Sequence, residues 1–297
     1  MQAASSLPAE RGVRYHLAEA VAGMPLIARA GLYRMDTALW LPNHRHRDAE
    51  LHYIHRGRLD IELPGPRPAR LLASGGWFML TAPGRVHRAR DGIMPPGQLL
   101  WLQLRPDSTG SLRGSPFDAA GLRHVRHALD ARLDQAWPAP PETAALFVRL
   151  AALAPRTADP LAAAALRAGL AEMLVLAAQP AGERSAPPAL ATALTALAGA
   201  QVTIAAAARA AAMSPGTLHA LCAAHLGSTP AAWQLSCRLD HARERLAAGE
   251  AVADVAEALG FSSPRYFAHA FRREVGVPPS QFAALRRRAR QDETLAW

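Results

Sequence analysis

The chain has 297 residues, of which 50% are hydrophobic and 19% are charged. This length favours two domains, since one domain commonly takes about 100 to 200 residues, and the composition excludes a disordered or fibrous protein. The longest apolar stretch, 161–178, is interrupted by Arg167 and Glu172 and therefore predicts a soluble helix. Two cysteines and an N-terminus without a basic start and apolar run argue against a disulfide scaffold and a secretory signal. We therefore expect a cytoplasmic protein.

The formal net charge is +9, and every one of the 33 basic residues is arginine. The guanidinium group suits phosphate and guanine recognition because its donors form a fixed fork. Both halves of the chain carry an excess of arginine over acidic residues. The overall charge therefore does not locate a nucleic-acid-binding domain, and only local placement can do so.

Short apolar stretches separated by Gly and Pro clusters run from residue 29 to about residue 104. This pattern is typical of strands joined by tight turns. Alternation over 59–63 and 100–104 predicts strands with one face inward and the other in water. These features predict a small antiparallel β-barrel or sandwich.

Three histidines and a glutamate in this region are spaced for a metal site. His44 and His46 are two residues apart, so on a strand both rings lie on one face, and Glu50 shares their parity. His87, from a later strand, completes a set of three imidazoles and one carboxylate that suits zinc, iron, manganese or nickel. The alternative is that these side chains line an effector pocket without a metal. His52 adds no spacing of this kind and is predicted to lie on a strand surface or in a pocket.

The run from His44 to Glu50, with Gly57 seven residues later, and the run GRVH at 84–87 resemble the two sequence motifs of the cupin family. Ala82 stands where the second motif prefers proline, whereas the four ligand positions are intact. The resemblance implies a cupin-like, effector-sensing domain over residues 1–138.

After residue 141 the sequence changes to Ala and Leu at helical spacing, which predicts helices over 142–154 and 160–178. Each carries an apolar stripe. One stripe suffices to cover the strands, and the second leaves apolar surface to spare. We therefore expect residues 139–180 to connect the domains and to form a homodimer contact. The composition of 181–189 is that of a linker.

Beyond residue 189 the chain is predicted to be helical and contains an internal repeat. Each copy has a short helix, a tight turn, a Ser-Pro helix start and a second helix with apolar positions four apart. Ser at the N-cap and Pro at the first helical position satisfy or remove donors left unpaired at a helix start. This is the pattern of a helix-turn-helix, present twice. The repeated apolar positions are Leu218, Cys222 and Trp233 in the first copy and Phe267, Phe271 and Phe282 in the second.

The second helix of such a unit lies in the major groove of DNA, so its exposed side chains meet bases and phosphates. In the second copy these are Arg265, His269, Arg272 and Arg273, within a segment, 261–290, that has seven arginines and one acidic residue. We assign Arg265 and His269 to bases and the other two mainly to phosphates.

The first copy offers little charge, since residues 201–237 contain one arginine and no acidic residue. We expect it to read DNA weakly through Thr217, His219 and backbone amides at the helix start. The alternative is that this copy serves only as a packing partner.

The run ADVAEALGFSSP at 253–264, followed by Phe267, by AFRR at 270–273 and by Pro279, resembles the signature of the AraC/XylS family of transcriptional regulators. The resemblance covers about the last hundred residues, including a connecting helix at 229–248. It implies a DNA-binding domain, residues 190–297, whose two recognition helices enter successive major grooves. In the first recognition helix Cys222 replaces a usual aromatic residue.

The predicted fold is α+β: an N-terminal cupin-like antiparallel β-barrel with flanking helices, then an all-α domain with two helix-turn-helix units. The predicted function is a transcriptional regulator that binds double-stranded promoter DNA and responds to a small-molecule effector, a divalent metal or both. RNA polymerase is a further expected partner if the protein activates.

No arrangement of side chains indicates a catalytic nucleophile, so we expect a protein that is not an enzyme. Two alternatives are a cupin metalloenzyme with a helical appendage, which the four metal-ligand positions favour, and a constitutive DNA-binding protein with a structural barrel.

Overall fold

The computed structural model describes residues 12–22, 24–106, 117–180, 187–199, 202–226 and 228–294. They divide into two compact units. The N-terminal unit holds residues 12–36 and 41–180, and the C-terminal unit holds residues 187–294 together with 37–40. Most of the predicted linker, residues 181–186, lies outside the described residues.

Strands make up the first half of the chain. They are β1 (Gly12–His16), β2 (Ile27–Met35), β3 (Leu39–Trp40), β4 (Ala49–Arg56), β5 (Arg58–Leu63), β6 (Ala69–Ser74), β7 (Trp77–Thr81), β8 (Arg88–Ala89), β9 (Ile93–Met94), β10 (Gly97–Leu104) and β11 (Gln135–Pro138). The helices of the N-terminal unit are α1 (Ala18–Val21), α2 (Ala119–Asp130), α3 (Thr143–Leu153) and α4 (Pro160–Ala178).

Nine strands of the N-terminal unit form a large and a small antiparallel sheet. The large sheet has six strands in the order β1-β2-β10-β4-β7-β11, and the small sheet has the order β6-β5-β8. The predicted α+β class with a cupin-like β domain is confirmed, and the sheets do not close into a barrel, because among the described residues β1 and β11 remain the edges of the large sheet. Glu50 of β4 lies 3.3 Å from His87, beside β8, so the two sheets face each other.

The other face of the large sheet packs against helices. Tyr53 and Phe78 of the sheet contact Phe147 and Trp137 within one continuous apolar core that includes α2, α3 and α4. Gly169 of α4 lets that helix approach α3 closely, because a Cβ there would lie 2.6 Å from Leu150. The part of this face beneath the helices is therefore apolar and buried, while the inner face carries the polar cluster described below.

Two polar residues expected in water are buried. Asp60 of β5 is paired with Arg70 through two hydrogen bonds of 2.7 and 2.6 Å and also lies near Arg58 and Arg90. Gln103 of β10 is buried because β10 lies in the middle of the large sheet, between β2 and β4. The prediction of a solvent-exposed face is therefore wrong for 100–104 and, within 59–63, wrong at Asp60, whereas Glu62 is half-buried.

The predicted helices at 142–154, 160–178 and 229–248 correspond to α3, α4 and α8, the last with Thr229 as its N-cap. Helix α2 and strand β11 were not predicted from the sequence. Helix α4 has the length and apolarity of a membrane span, yet most of it is buried in the core of the N-terminal unit.

The C-terminal unit is helical. Its helices are α5 (Pro188–Leu197), α6 (Ile204–Ala210), α7 (Pro215–Leu226), α8 (Pro230–Ala248), α9 (Val252–Ala258), α10 (Pro264–Val275) and α11 (Pro279–Thr294). Helices α6–α7 and α9–α10 are the two predicted helix-turn-helix copies, and α8 connects them.

Candidate nucleic-acid interface and metal centre

The sequence defines both ends of α10, the second helix of the second copy. The hydroxyl of Ser263 accepts a hydrogen bond of 3.2 Å from the amide of Tyr266, and Pro264 occupies the first turn. At the other end Gly276 adopts a left-handed conformation with φ of 93°, which glycine enters without a Cβ clash. The predicted Ser-Pro start is confirmed, and α10 has fixed ends.

The two faces of α10 differ sharply. Phe267 and Phe271 are fully buried. Arg265, His269 and Arg272 are exposed on the opposite side, and their spacing of four and three residues places them in one stripe along the helix. Arg273 is exposed next to Arg272, and none of the four side chains makes an ion pair with a described residue. We call Arg265, His269, Arg272 and Arg273 together the basic stripe.

Tyr266 is a surface feature of α10 that the sequence analysis missed. Its side chain is 48% exposed, beside Arg265, and its ring lies 6.1 Å from that of Phe261. The available signal was its position, because it is out of step with the buried pair Phe267 and Phe271.

Helix α7, the counterpart of α10 in the first copy, carries no arginine and no acidic residue. Ser214 accepts a hydrogen bond of 3.0 Å from the amide of Thr217, and the two hydroxyl oxygens lie 2.8 Å apart. His219 is exposed, but its Nδ1 donates to the carbonyl of Pro215 at 3.0 Å. Thr217 and His219, the two predicted DNA contacts, thus each have a polar group that is already hydrogen-bonded to a residue at the start of α7.

Helix α8 contacts both copies through side chains one turn apart. The Gln234 amide donates to the carbonyl of Val202, just before α6, at 2.7 Å. The guanidinium of Arg238 donates to the carbonyl of Leu259 at 3.0 Å and stacks 4.0 Å over the ring of Phe261. A single rigid helix therefore fixes the position of each copy.

The N-terminal unit brings His44, His46, Glu50 and His87 together on the inner side of the large sheet. One donor atom from each lies within 4.8 Å of all the others. Oxygens of Glu50 are 3.6 Å from Nε2 of His46 and 3.3 Å from Nε2 of His87. The four residues that the spacing selected are neighbours in the fold.

Backbone contacts orient two of these rings. His44 and His87 exchange two backbone hydrogen bonds of 2.9 Å each, which sets their ring centroids 4.2 Å apart. Nδ1 of His44 donates to the carbonyl of Pro42 at 2.8 Å, and Nδ1 of His87 donates to that of Arg85 at 2.9 Å. In both rings Nε2 is left to face the cluster, an arrangement common in metal sites.

The strand geometry used to predict this cluster is wrong. His44 forms only an isolated bridge, and His46 lies in a loop before β4 begins at Ala49. His52, which the sequence analysis set aside, shares the parity of Glu50 on β4 and lies 3.8 Å from its carboxylate. Because residues two apart on a strand lie on the same face, the position of His52 two residues after Glu50 was the signal that would have placed it in the cluster.

The electrostatics favour an ionised carboxylate at Glu50. Burial alone would raise the pKa of Glu50, but the imidazoles of His52, His87 and His46 outweigh burial and hold this pKa at about 2. Burial lowers the pKa of both His44 and His52. Burial also acts downward on His87, but hydrogen bonds to Glu50 and to a backbone carbonyl raise its pKa above the usual value.

The donor set fits a divalent metal ion. A tetrahedral ion that binds nitrogen and oxygen at 2.0–2.2 Å separates its donors by roughly 3.4 Å. The separations of 3.3 and 3.6 Å around Glu50 agree with this value. Imidazole and carboxylate donors also suit zinc, iron, manganese or nickel.

Two family models match the chain. Residues 207–285 match a helix-turn-helix domain, and residues 28–171 match the AraC-like ligand binding domain. Together the matches cover well over half of the chain. The chain belongs to the AraC family. Both recognition helices of this AraC-type domain, α7 and α10, lie inside the first match, and the His and Glu cluster lies inside the second.

Solved AraC-type proteins resemble parts or all of the chain. A regulator from Chromobacterium violaceum is 25% identical over 33% of this chain and 92% of its own, with a TM-score of 0.32. The DNA-binding domain of AdpA in complex with a target DNA is 30% identical over 35% and 94%, with a TM-score of 0.31. ToxT from Vibrio cholerae is 10% identical over 94% and 99%, with a TM-score of 0.33.

A search of curated protein sequences finds no match. The family assignment therefore depends on the two family models. The AraC family confirms a DNA-binding helix-turn-helix domain joined to a ligand-binding domain. The roles of individual residues stay predictions.

Proposed function

We propose that this AraC-family protein regulates transcription by binding a promoter duplex mainly through α10, and that a small-molecule effector in the N-terminal unit changes this binding. The observation that carries the proposal is the basic stripe, three arginines and a histidine exposed on one capped helix without acidic partners. Helix α7 adds a weaker contact through Thr217 and His219.

Within the stripe the side chains have different roles. Arg265 and His269 lie toward the start of α10, which approaches base edges in a helix-turn-helix complex. Arg272 and Arg273 lie in its last turn and bind phosphates. Phosphate contacts supply affinity and salt dependence, while base contacts supply sequence choice.

The proposal is tested with duplexes selected from a random library by the full-length protein. Affinity for a selected and a scrambled duplex is measured by fluorescence anisotropy over a range of salt concentrations. We expect tight binding to the selected duplex that weakens steeply with salt. The surface variant Arg123→Gln on α2 is the control and should leave both affinities unchanged. Absence of salt-sensitive association with any duplex would refute the proposed function.

The cluster of His44, His46, Glu50 and His87 is proposed to hold one divalent metal ion. An ion held by these four donors would accept an oxygen or nitrogen of an effector by expanding to five-coordinate. Without an ion, the same side chains would bind a polar effector directly.

Zinc binding should weaken as the pH falls, because a ligand must lose its proton before it binds a metal. The raised pKa of His87 places the start of that loss above the usual imidazole value of about 6.5. The measurement is chelator competition for zinc between pH 8 and pH 5.5. His46→Ala should abolish the tight binding, whereas His124→Ala, an exposed histidine of α2, should not.

A cupin metalloenzyme remains the second candidate function, favoured by the intact donor set. The two candidates differ in what His46→Ala removes. In a regulator it removes the response to effector or metal and leaves duplex affinity unchanged. In an enzyme it removes turnover, which a screen of the metal-loaded protein would detect.

We further propose a cytoplasmic homodimer, which contacts RNA polymerase where it activates. Leu161 and Val175 of α4 support the dimer, since these large apolar side chains are exposed by 81% and 42% on a helix whose other face is buried. Sedimentation velocity should show a dimer at micromolar concentration, and the double variant Leu161→Ser, Val175→Ser should be a monomer. A wild-type monomer under these conditions would refute the dimer.

A further inference from the structure

A cavity of about 330 Å³ lies between the large sheet and α3. This volume is at the lower end of the range for small-molecule sites. The cavity opens on the face of the sheet that carries the helices, and Glu50 and His52 point to the opposite face. It is therefore separate from the proposed metal centre.

A β-bulge in β4 builds one end of the cavity. The register of β4 against β10 shifts so that Arg56 pairs with Gln98 while Ile54 pairs with Leu99, which leaves His55 as the extra residue. A bulge of this kind allows two consecutive residues to face one side. His55 and Arg56 both line the cavity.

Polar side chains gather at that end. Arg34 of β2 also pairs with Gln98, so Arg34, Gln98 and Arg56 form one row across three neighbouring strands. Because β10 lies between β2 and β4, two strand spacings of about 4.8 Å separate the backbones at Arg34 and Arg56, a span that two long arginine side chains can close onto one anion. The buried Nδ1 of His55 has no hydrogen-bond partner among the described residues.

The other walls are apolar. Tyr15 and Leu32 come from the sheet, and Phe147, Val148 and Ala151 come from α3. The ring of His55 stacks on that of Phe147 at 4.4 Å and 13°. Val148 is 56% exposed, so the apolar wall extends to the surface.

The charges of the lining do not balance. Arg34 and Arg56 are cationic, and the lining includes no acidic side chain. Neither arginine makes an ion pair with a described residue. An anion would satisfy both groups, and a carboxylate matches the paired donors of a guanidinium.

We infer that this cavity binds a small organic carboxylate with an apolar body, such as an aryl or short alkyl group. The carboxylate lies between Arg34 and Arg56, and the body packs on Phe147 and Val148. This inference rests on the proposed function in one respect, because it adds, apart from the His and Glu cluster, a second site at which an effector of this chemical class would regulate duplex binding.

The test compares three probes that share one body: 3-phenylpropionate, 3-phenylpropionamide and 3-phenylpropylamine. Binding to the full-length protein is measured by isothermal titration calorimetry. We expect the acid to bind about tenfold tighter than the amide, which one charge-assisted contact supplies, and the amine not to bind. Equal affinities for acid and amide, or no saturable binding of the acid, would overturn the inference.

Variants locate the site. Arg34→Gln and Arg56→Gln should each weaken the acid about fivefold or more and leave the amide unchanged. Val148→Ser should weaken acid and amide alike, and the control Arg123→Gln should weaken neither. If Arg34→Gln instead dissociates a dimer, a second copy covers this face and the inference fails.

Duplex binding in the same preparations separates the two proposals. A protein that binds duplex but not 3-phenylpropionate refutes the cavity alone. One that binds 3-phenylpropionate but no duplex refutes the proposed function alone. A change of duplex affinity by saturating acid, lost in Arg34→Gln, supports both.

Discussion

The two helix-turn-helix copies of the C-terminal unit share a backbone and differ in side chains. In each copy the first helix ends with the same hydrogen bond, from the amide of Met213 to the carbonyl of Ala208 and from that of Phe261 to that of Ala256, both at 3.0 Å. Each second helix then begins at a serine N-cap.

The differences lie in the core, the turn and the surface. The largest buried side chains of α10 are the phenyl rings of Phe267 and Phe271, whereas the buried residues of α7 are Leu218 and Cys222. The left-handed turn residue is Gly260 in the second copy and Ala212 in the first. Both copies therefore keep the same buried positions, whereas the second copy also has the arginines that suit DNA binding and a glycine at its left-handed turn position.

Removal of a core ring should have the largest effect. Phe271→Ala leaves a cavity among Phe267 and Phe282 and should destabilise the unit by about 3 to 5 kcal/mol, whereas Cys222→Ala should cost about 1 kcal/mol. Urea unfolding and peptide-level hydrogen exchange over 215–226 and 264–275 measure both. Equal losses would show that the copies are equally dependent on their cores.

The next-largest effects should come from substitutions in the basic stripe, which weaken DNA binding. Arg265→Ala should weaken binding to the selected duplex by about 1 to 3 kcal/mol and relax the choice of one base pair. Arg272→Ala should weaken selected and scrambled duplexes alike and reduce the salt slope by about 1. Anisotropy titrations against single-base variants of the duplex distinguish the two. Identical behaviour of both variants would contradict the assigned roles.

Local signals predicted much of the C-terminal unit. Ser263 and Ser214 act as N-caps because their hydroxyls reach amides within the same turn, and such contacts depend only on neighbouring sequence. The burial of Phe267 and Phe271 followed from their spacing. Tyr266 was missed because aromatic character alone does not distinguish a core ring from one at the edge of a helix.

The N-terminal unit was less predictable because its contacts join distant segments. His44 and His46 were grouped correctly as neighbours, but a loop and a bridge to His87 hold them, and strand alternation does not. Asp60 is buried because arginines from other segments surround it, which no local pattern reveals. The cavity beside α3 depends on a β-bulge, and a single extra residue leaves no mark in the sequence.

The turn of each copy can be tested by exchanging its left-handed residue. Gly260 has φ of 68° and Ala212 has φ of 52°, a region that penalises a side chain by about 1 kcal/mol. Gly260→Ala should therefore destabilise the second copy by about 1 kcal/mol, and Ala212→Gly should stabilise the first by a similar amount. Urea unfolding measures both, and changes of the same sign would contradict the comparison.

The smallest expected effect concerns the two exposed histidines. His269 lies between Arg265 and Arg272 in the basic stripe, so His269→Ala should weaken duplex binding by about 0.5 to 1 kcal/mol, the range of one ordinary hydrogen bond. The Nδ1 of His219 already donates to Pro215, which leaves one ring nitrogen for DNA, and His219→Ala should have a smaller effect. Anisotropy with the selected duplex decides the order. A larger loss from His219→Ala would make α7 the principal reader, and the contrast between the copies would then lie in their packing alone.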